Sequence, residues 1–320
     1  MQDDNEGDDM ISSMKAFART KADSMHVEMI TMPLPVLSED EVLVATEAFG
    51  VGIHDRYFIP EDVQFPYVIG IEGAGQITAL GENVVNFAVG DRVAFTSSMN
   101  PKGGTWAQYA AVKQAALIHV PDGLSTLQAA SVPVAGGTAQ QGLSDLNLAI
   151  GETLFIAGAS GAIGSFAIQL AAQQGVRVAG SASAENQQYM RSLGTEKTVD
   201  YSAPDWQAEV WDWAGEGVDA ALAIQPNTGN DAIKVTRDGG RVITISGYGD
   251  TFAVERGISA AQMTHMHDSR QRIEQLLSAI TEGSIQTMIE AEYSFSQALA
   301  ALEKTETRHA RGKLVVNMRD

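Results

Sequence analysis

The chain has no cysteine among its 320 residues, which excludes disulfides, thiolate catalysis and any zinc held by thiolates. It has no uninterrupted apolar run long enough to span a bilayer, so a membrane is not an expected partner. The start, MQDDNEGDDMISS, lacks the basic and apolar regions of a secretory signal, and the cytoplasm is the expected address. Positive charge is scarce: 21 Lys and Arg stand against 40 Asp and Glu, for a formal net charge of -19. Binding to a phosphate backbone needs clustered cations that release counterions, so nucleic acid is not an expected partner either.

Hydrophobic residues at 44% and charged residues at 19% are ordinary for a globular chain. A length of 320 residues exceeds what one core usually serves, which predicts two folded units. Asp3, Asp4, Glu6, Asp8 and Asp9 open the chain with no base among them. Residues 1–13 are therefore expected to form a disordered, solvated tail, with Met14 as an alternative start.

From Met14 to about Leu117 the pattern is strand-like, with short runs such as Lys15 to Ala18 and Glu41 to Ala45 separated by Pro and Gly. The turn Val89 to Val93 and the segment Gly103 to Tyr109 fit hairpins of an irregular barrel. Beyond Asp122 the character changes. Ser125 is placed to cap a helix beginning near Leu127, which feeds a second through Gly136-Gly137-Thr138. Strands are predicted at Thr153 to Ala157, Arg177 to Ser181, Thr198 to Tyr201, Ala220 to Ile224 and Arg241 to Ser246, alternating with helices as in a doubly wound parallel sheet. Helices are expected at Ser269 to Thr281 and Ser296 to Glu303, and a final strand at Lys313 to Met318.

The sharpest chemical signal follows the first of those strands: Gly158-Ala-Ser-Gly161-Ala-Ile-Gly164, then a helix from Ser165 to Gln174. Glycines let the backbone turn tightly against a pyrophosphate, and the free amides and dipole of the helix start attract its charge. The spacing is GxxGxxG rather than GxGxxG, so the specificity lies in the strand, turn and helix order around it. At the end of the next strand stand Ser181, Ala182 and Ser183, where a carboxylate would bind a ribose diol. Small hydroxyls suit the phosphate of NADP(H), whereas Glu185 pulls towards NAD(H).

These residues resemble the medium-chain dehydrogenase/reductase superfamily from Met14 onwards, and within it the zinc-independent quinone oxidoreductase and alkenone reductase branch. The resemblance is carried by Phe65-Pro66-Tyr-Val-Ile-Gly70-Ile71-Glu72-Gly73-Ala-Gly75, similar to the family's G-H-E or G-x-E signature, by Val-Gly-Asp-Arg-Val at Val89 to Val93, by Gly137-Thr138-Ala139, and by the ending Arg308-His-Ala-Arg311-Gly312-Lys313-Leu-Val-Val. It implies a Rossmann domain over 127–260 and a β-rich GroES-like substrate domain over 14–126 and 261–320, in a homodimer. Ile71 stands where the family's zinc enzymes have histidine, and the structural-zinc cysteines are missing, so no zinc is expected. Zinc acts there as a Lewis acid on a strongly basic alkoxide; quinones and enones need less help because their charge is delocalised.

Gly50-Val51-Gly52-Ile53-His54-Asp55-Arg56-Tyr57 resembles the branch's loop over the nicotinamide, with Gly52 in place of Asn. Tyr57 is the candidate proton donor or orienting group, and Tyr57, Gly52 and Trp106 are expected to shape an apolar substrate slot. Asp55 is read as a cap for local amides, His54 as a solvated side chain, and Glu72 resembles a residue that is structural in zinc-free members. For the cofactor the resemblance implies Thr138, Ser160, Gly161, Ala162, Ile163, Ser181, Ser183, Tyr201, Ser246, Gly247 and Lys313. A second departure is Ala223-Ile224-Gln225-Pro226, where Asp followed by Gly is common. His265, His267 and Asp268 are read as surface residues, and Trp206, Trp211 and Trp213 as helix packing. The expected activity is hydride transfer from NADPH to a quinone or conjugated enone. The rivals are an enoyl reductase acting on a thioester and a non-catalytic nucleotide-binding protein that keeps the fold.

Overall fold

The computed structural model describes residues 12–246, 256–264 and 269–319. Gly247, Tyr248, His265, His267 and Asp268 lie outside the described residues, as do residues 1–11 of the acidic start. Ser13 already pairs with Pro33, so ordered strand begins one residue before Met14.

The first part of the chain is β-rich. It contains β1 (Ser13–Arg19), β2 (Val27–Pro33), β3 (Glu41–Val51), β4 (Tyr67–Val68), β5 (Glu72–Leu80), β6 (Arg92–Thr96), β7 (Tyr109–Lys113) and β8 (Leu117–His119). After these come α1 (Thr126–Ala130) and α2 (Pro133–Leu146). Ser125 caps α1 in a full capping box with Gln128, which fixes where the helical half begins.

The alternating half runs β9 (Thr153–Ala157), α3 (Ala162–Gln173), β10 (Arg177–Ala182), α4 (Gln187–Ser192), β11 (Lys197–Asp200), α5 (Trp206–Ala214), β12 (Val218–Ala223), α6 (Gly229–Val235), β13 (Thr236–Thr244) and β14 (Ser259–Gln262). The chain closes with α7 (Ser269–Thr281), β15 (Ile289–Ser294), α8 (Ala298–Glu306) and β16 (Lys313–Asn317).

The six strands β11-β10-β9-β12-β13-β14 form one sheet in that order, every neighbouring pair parallel. Parallel strands are covered on both faces, and β9 shows why its run from Leu154 to Ala157 is apolar. Leu154 and Ile156 join the core shared with α2 and α3, while Phe155 and Ala157 point to the other side, against Trp206, Val210 and Ile233. The chain order reverses between β9 and β12, the switch point beside which such sheets bind ligands.

A seven-stranded sheet links β15-β16-β3-β5-β6-β8, with β7 on β3, and the antiparallel sheet β2-β1-β4 lies beside it. Strand β16 returns from the far end of the sequence to pair with β3, which carries the loop of residues 52–58 at its end. The expected boundary at 261 is shifted by the structure: β14 runs to Gln262, and Ile273, Leu276, Leu277 and Ile280 of α7 pack with Ala139 and Leu143 of α2. The apolar stripe of α7 packs both on that helix layer and on β8 of the barrel, whose Ile118 shares the same core. Among the described residues no helix is long and apolar enough to cross a membrane.

Candidate active site

The glycine-rich turn sits between β9 and α3. Gly158 has φ +83, a conformation that side chains rarely adopt, and a Cβ on Gly164 would lie 2.5 Å from the Ala159 carbonyl oxygen. Among the described residues, a Cβ on Gly161 would meet the Gly158 oxygen, at 3.6 Å, and no other atom beyond its chain neighbours, so the mouth of the turn is open there. Gly161 caps α3 without any side chain bonding to the first-turn amides. Ser160, Gly161, Ala162 and Ile163 are half-buried around this mouth. Backbone donors, an open mouth and the positive end of a 12-residue helix fit a dinucleotide pyrophosphate.

The other candidate cofactor residues fall at the same carboxyl edge of the sheet. Ser181, next to last in β10, is almost fully buried, its carbonyl accepting the Ala159 amide at 3.1 Å. Ser183 is half-buried; its hydroxyl donates to Glu185 at 3.3 Å and accepts from Asn186 at 2.8 Å. Tyr201, just after β11, is 53% exposed. Ser246 follows β13 and donates to the Ile224 carbonyl at 2.8 Å, tying two strand ends together. Thr138 lies on α2, nearly buried.

The barrel reaches this turn through the residues before β16. Gly312 pairs with Gly161 in a parallel bridge, and its amide donates to the Ser160 carbonyl at 2.9 Å. The side chain of Lys313 turns inward to an ion pair with Glu72 instead of standing free towards the turn. Both groups are buried, and a buried ammonium needs a counter-charge. The second oxygen of Glu72 accepts the Val134 amide at 2.7 Å, in the first turn of α2, where the helix dipole favours an anion. Glu72 thus joins β5, α2 and β16, a structural role.

The loop of residues 52–58 is pinned from below. Asp55 is 2% exposed; its Oδ2 accepts the Gly52 amide at 2.8 Å and the Trp106 Nε1–H at 3.2 Å. The Asp55 carbonyl accepts the Gly70 amide at 3.2 Å, and Arg56 is ion-paired with Glu306 at the end of α8, its Nη2 donating to Oε2 at 3.1 Å. Burial raises the Asp55 pKa to about 7, against the lowering effects of Lys313 and of its hydrogen bonds. Tyr57 and Phe58 are left 54% and 42% exposed. His54 stacks on Phe58 with ring centroids 4.8 Å apart, and its pKa is lowered by partial burial and by the charge of Arg308. Arg308 in turn reaches Gln225 beyond β12, at 3.4 Å.

Trp106 corrects one expectation. It is fully buried, stacked on Phe49 and edge-on to Phe17, so its ring supplies core rather than a wall open to substrate. A side chain of that size with strand residues on either side gains more from burial than from lining a wet cleft. Its link to Asp55 joins two loops that are far apart in sequence, and no local signal announces it. The expected amide cap by Asp55 is seen; its complete burial and its proximity to Lys313 and Glu72 are what sequence reasoning missed.

A parallel sheet with a glycine-rich turn at the head of α3, joined to a β-rich domain through Gly312 just before β16, is the architecture of an NAD(P)H-dependent oxidoreductase. Residues 38–122 match the family model described as the alcohol dehydrogenase GroES-like domain, and residues 193–316 the one described as zinc-binding dehydrogenase. A chloroplastic quinone oxidoreductase of Triphysaria versicolor is 28% identical, over 91% of this chain and 93% of the relative. The chloroplastic NADPH-dependent alkenal/one oxidoreductase of Arabidopsis thaliana is 29% identical, over 88% of this chain and 73% of the relative. The structure of the quinone oxidoreductase from Coxiella burnetii superposes with a TM-score of 0.87 at 25% identity, covering 96% of this chain and 100% of that one. The chain belongs to the medium-chain dehydrogenase/reductase superfamily, in its quinone oxidoreductase-like branch.

Proposed function

We propose that the chain is a zinc-independent reductase that delivers hydride from NADPH to a quinone or a conjugated enone. The observation that supports this reading is the contact between Gly312 and Gly161 with Lys313 paired to Glu72, which joins the glycine-rich turn to the β-rich part of the chain that bears the Tyr57 loop. The turn amides at Gly161 to Ile163 and the backbone of Ser160 would hold the pyrophosphate, Ser181, Ser183 and Tyr201 the ribose end, and Thr138 and Ser246 the nicotinamide side. The bound nicotinamide supplies the hydride.

The chain's own residues then orient the acceptor and exclude water. Tyr57 offers a phenol to the acceptor oxygen as negative charge grows there, and Phe58 and Ile71 supply apolar surroundings. With Ile71 at the position of the zinc-binding histidine and no cysteine in the chain, the acceptors that suit this site are those whose charge is delocalised on reduction. A homodimer is inferred with this reading, from the family.

Stopped-flow mixing with NADPH and a panel of quinones and enones tests it, with and without a chelator. Oxidation of NADPH that requires the acceptor and ignores the chelator is the expected result. Nucleotide binding without oxidation would leave a binding protein, and turnover of thioester enones alone would move the assignment to an enoyl reductase.

A further inference from the structure

Gly52 is the feature of the cleft loop that the proposed function leaves unused. Apart from its two chain neighbours, the atoms of the described residues within 4 Å of the place its Cβ would take are those of the Asp55 carboxyl, with Oδ1 at 3.5 Å. Among the described residues Oδ1 accepts no hydrogen bond, because both partners of Asp55, the Gly52 amide and Trp106 Nε1, are on Oδ2. One oxygen of a buried carboxyl is therefore fastened, and the other faces a gap that any larger residue at position 52 would fill.

We propose that Asp55 is the acid of the reaction, passing the proton on Oδ1 through the gap at Gly52 to the acceptor oxygen, directly or across one water. This rests on the reductase reading above. As hydride reaches the acceptor carbon, the acceptor's π electrons move onto its oxygen; the Asp55 O–H bond breaks and an O–H bond forms on the acceptor. The acceptor is reduced by the hydride of the reduced nicotinamide, and Asp55 is left as a carboxylate. An enol formed from an enone then tautomerises to the ketone, and the keto tautomer formed from a quinone becomes its hydroquinone when the carbon that took the hydride loses a proton to solvent and the second oxygen gains one.

The surroundings suit both states of the group. Lys313 on β16 attracts the carboxylate and Glu72 on β5 repels it, while the Gly52 amide and the Trp106 indole N–H steady it after the proton leaves. Beside it on the loop, Arg56 is paired with Glu306, and the pKa of His54 is lowered by burial and by Arg308, while Lys313 is shared with Glu72. Burial raises the Asp55 pKa to about 7, so the group is part protonated at neutral pH, where a free aspartate would be spent.

The test is the pH dependence of single-turnover enone reduction in wild type, Asp55→Asn and Gly52→Leu. An acid must be protonated to act, so the wild-type rate is expected to be highest at low pH and to fall as pH rises through about 7. Asp55→Asn keeps an acceptor oxygen for Gly52 and Trp106; it is expected to lose the pH dependence and to slow the step by roughly 100- to 10,000-fold with cofactor affinity unchanged. Gly52→Leu fills the gap while sparing the carboxyl, and is expected to slow the step similarly. A readout independent of turnover is the Trp106 indole N–H resonance, assigned by Trp106→Phe, which should titrate near pH 7 in wild type and Gly52→Leu but not in Asp55→Asn. Unchanged rates and pH profile in Asp55→Asn, with enones still reduced, overturn the acid role and leave the reductase assignment standing. Absence of any enone or quinone reduction by wild type overturns both.

Discussion

Glu72 is ion-paired with Lys313 through one carboxylate oxygen and accepts the Val134 amide at 2.7 Å with the other. Both side chains are almost wholly enclosed, at 2% and 6% exposure. Removing one member strands the other as a buried charge, so Lys313→Met is expected to lose about 3–5 kcal/mol. Adding Glu72→Gln to it should restore part of that, because the amide oxygen still accepts from Val134. Urea unfolding of the single and double variants checks this, and a double variant weaker than Lys313→Met would show that the pair is not the coupled unit described.

Two glycines of the nucleotide turn are expected to respond differently to the same methyl group. In Gly164→Ala the new Cβ lies 2.5 Å from the Ala159 carbonyl oxygen, which is backbone and cannot give way cheaply. Overpacking of this kind costs about 1–3 kcal/mol, seen as a lower melting temperature. In Gly161→Ala the methyl faces the open mouth of the turn, so stability should hold while cofactor affinity falls. Calorimetry of unfolding and of NADPH binding separates the two; equal loss of stability would refute the open-mouth geometry.

Much of the nucleotide-binding half was legible because its signals are local. Strand β9 occupies Thr153–Ala157 and α7 occupies Ser269–Thr281, both as the apolar patterns indicate. Strand β13 starts at Thr236, ahead of the expected Arg241, because Arg237 is held in the strand by Asp219 although Gly239 and Gly240 read as a turn. In the barrel the strands were legible and their pairing was not. Register between β3 and β16 is set by burial of Val315 and Val316, and the Asp55–Trp106 bond follows only from that closure. Reading Trp106 as cleft wall failed for the same reason: a loop aromatic says nothing of which side it faces.

Cofactor choice turns on the end of β10. The Ser183 hydroxyl is near the expected ribose end, yet it donates to Glu185, whose carboxylate opposes a phosphate there. Isothermal titration with both reduced cofactors is expected to favour NADPH, and Glu185→Lys should widen that preference by adding a cation. Tighter NADH binding by wild type would show that the carboxylate decides.

Tyr57 is expected to orient the acceptor, since its ring is 54% exposed on a loop that Asp55 and Arg56 hold fast from beneath. A donor aimed at developing oxyanion charge is typically worth about 2.7–4 kcal/mol of transition-state stabilisation, whereas a hydroxyl that only packs contributes far less. Quinones accept hydride readily, while an unactivated enone depends more on help at its oxygen. Tyr57→Phe should therefore slow enone turnover by roughly a hundredfold or more, slow quinone turnover much less, and leave cofactor affinity unchanged. The comparison is decisive only where hydride transfer limits the rate, which a deuterated cofactor establishes. Equal rates for wild type and Tyr57→Phe on both acceptors under that condition would reduce Tyr57 to a wall of the pocket.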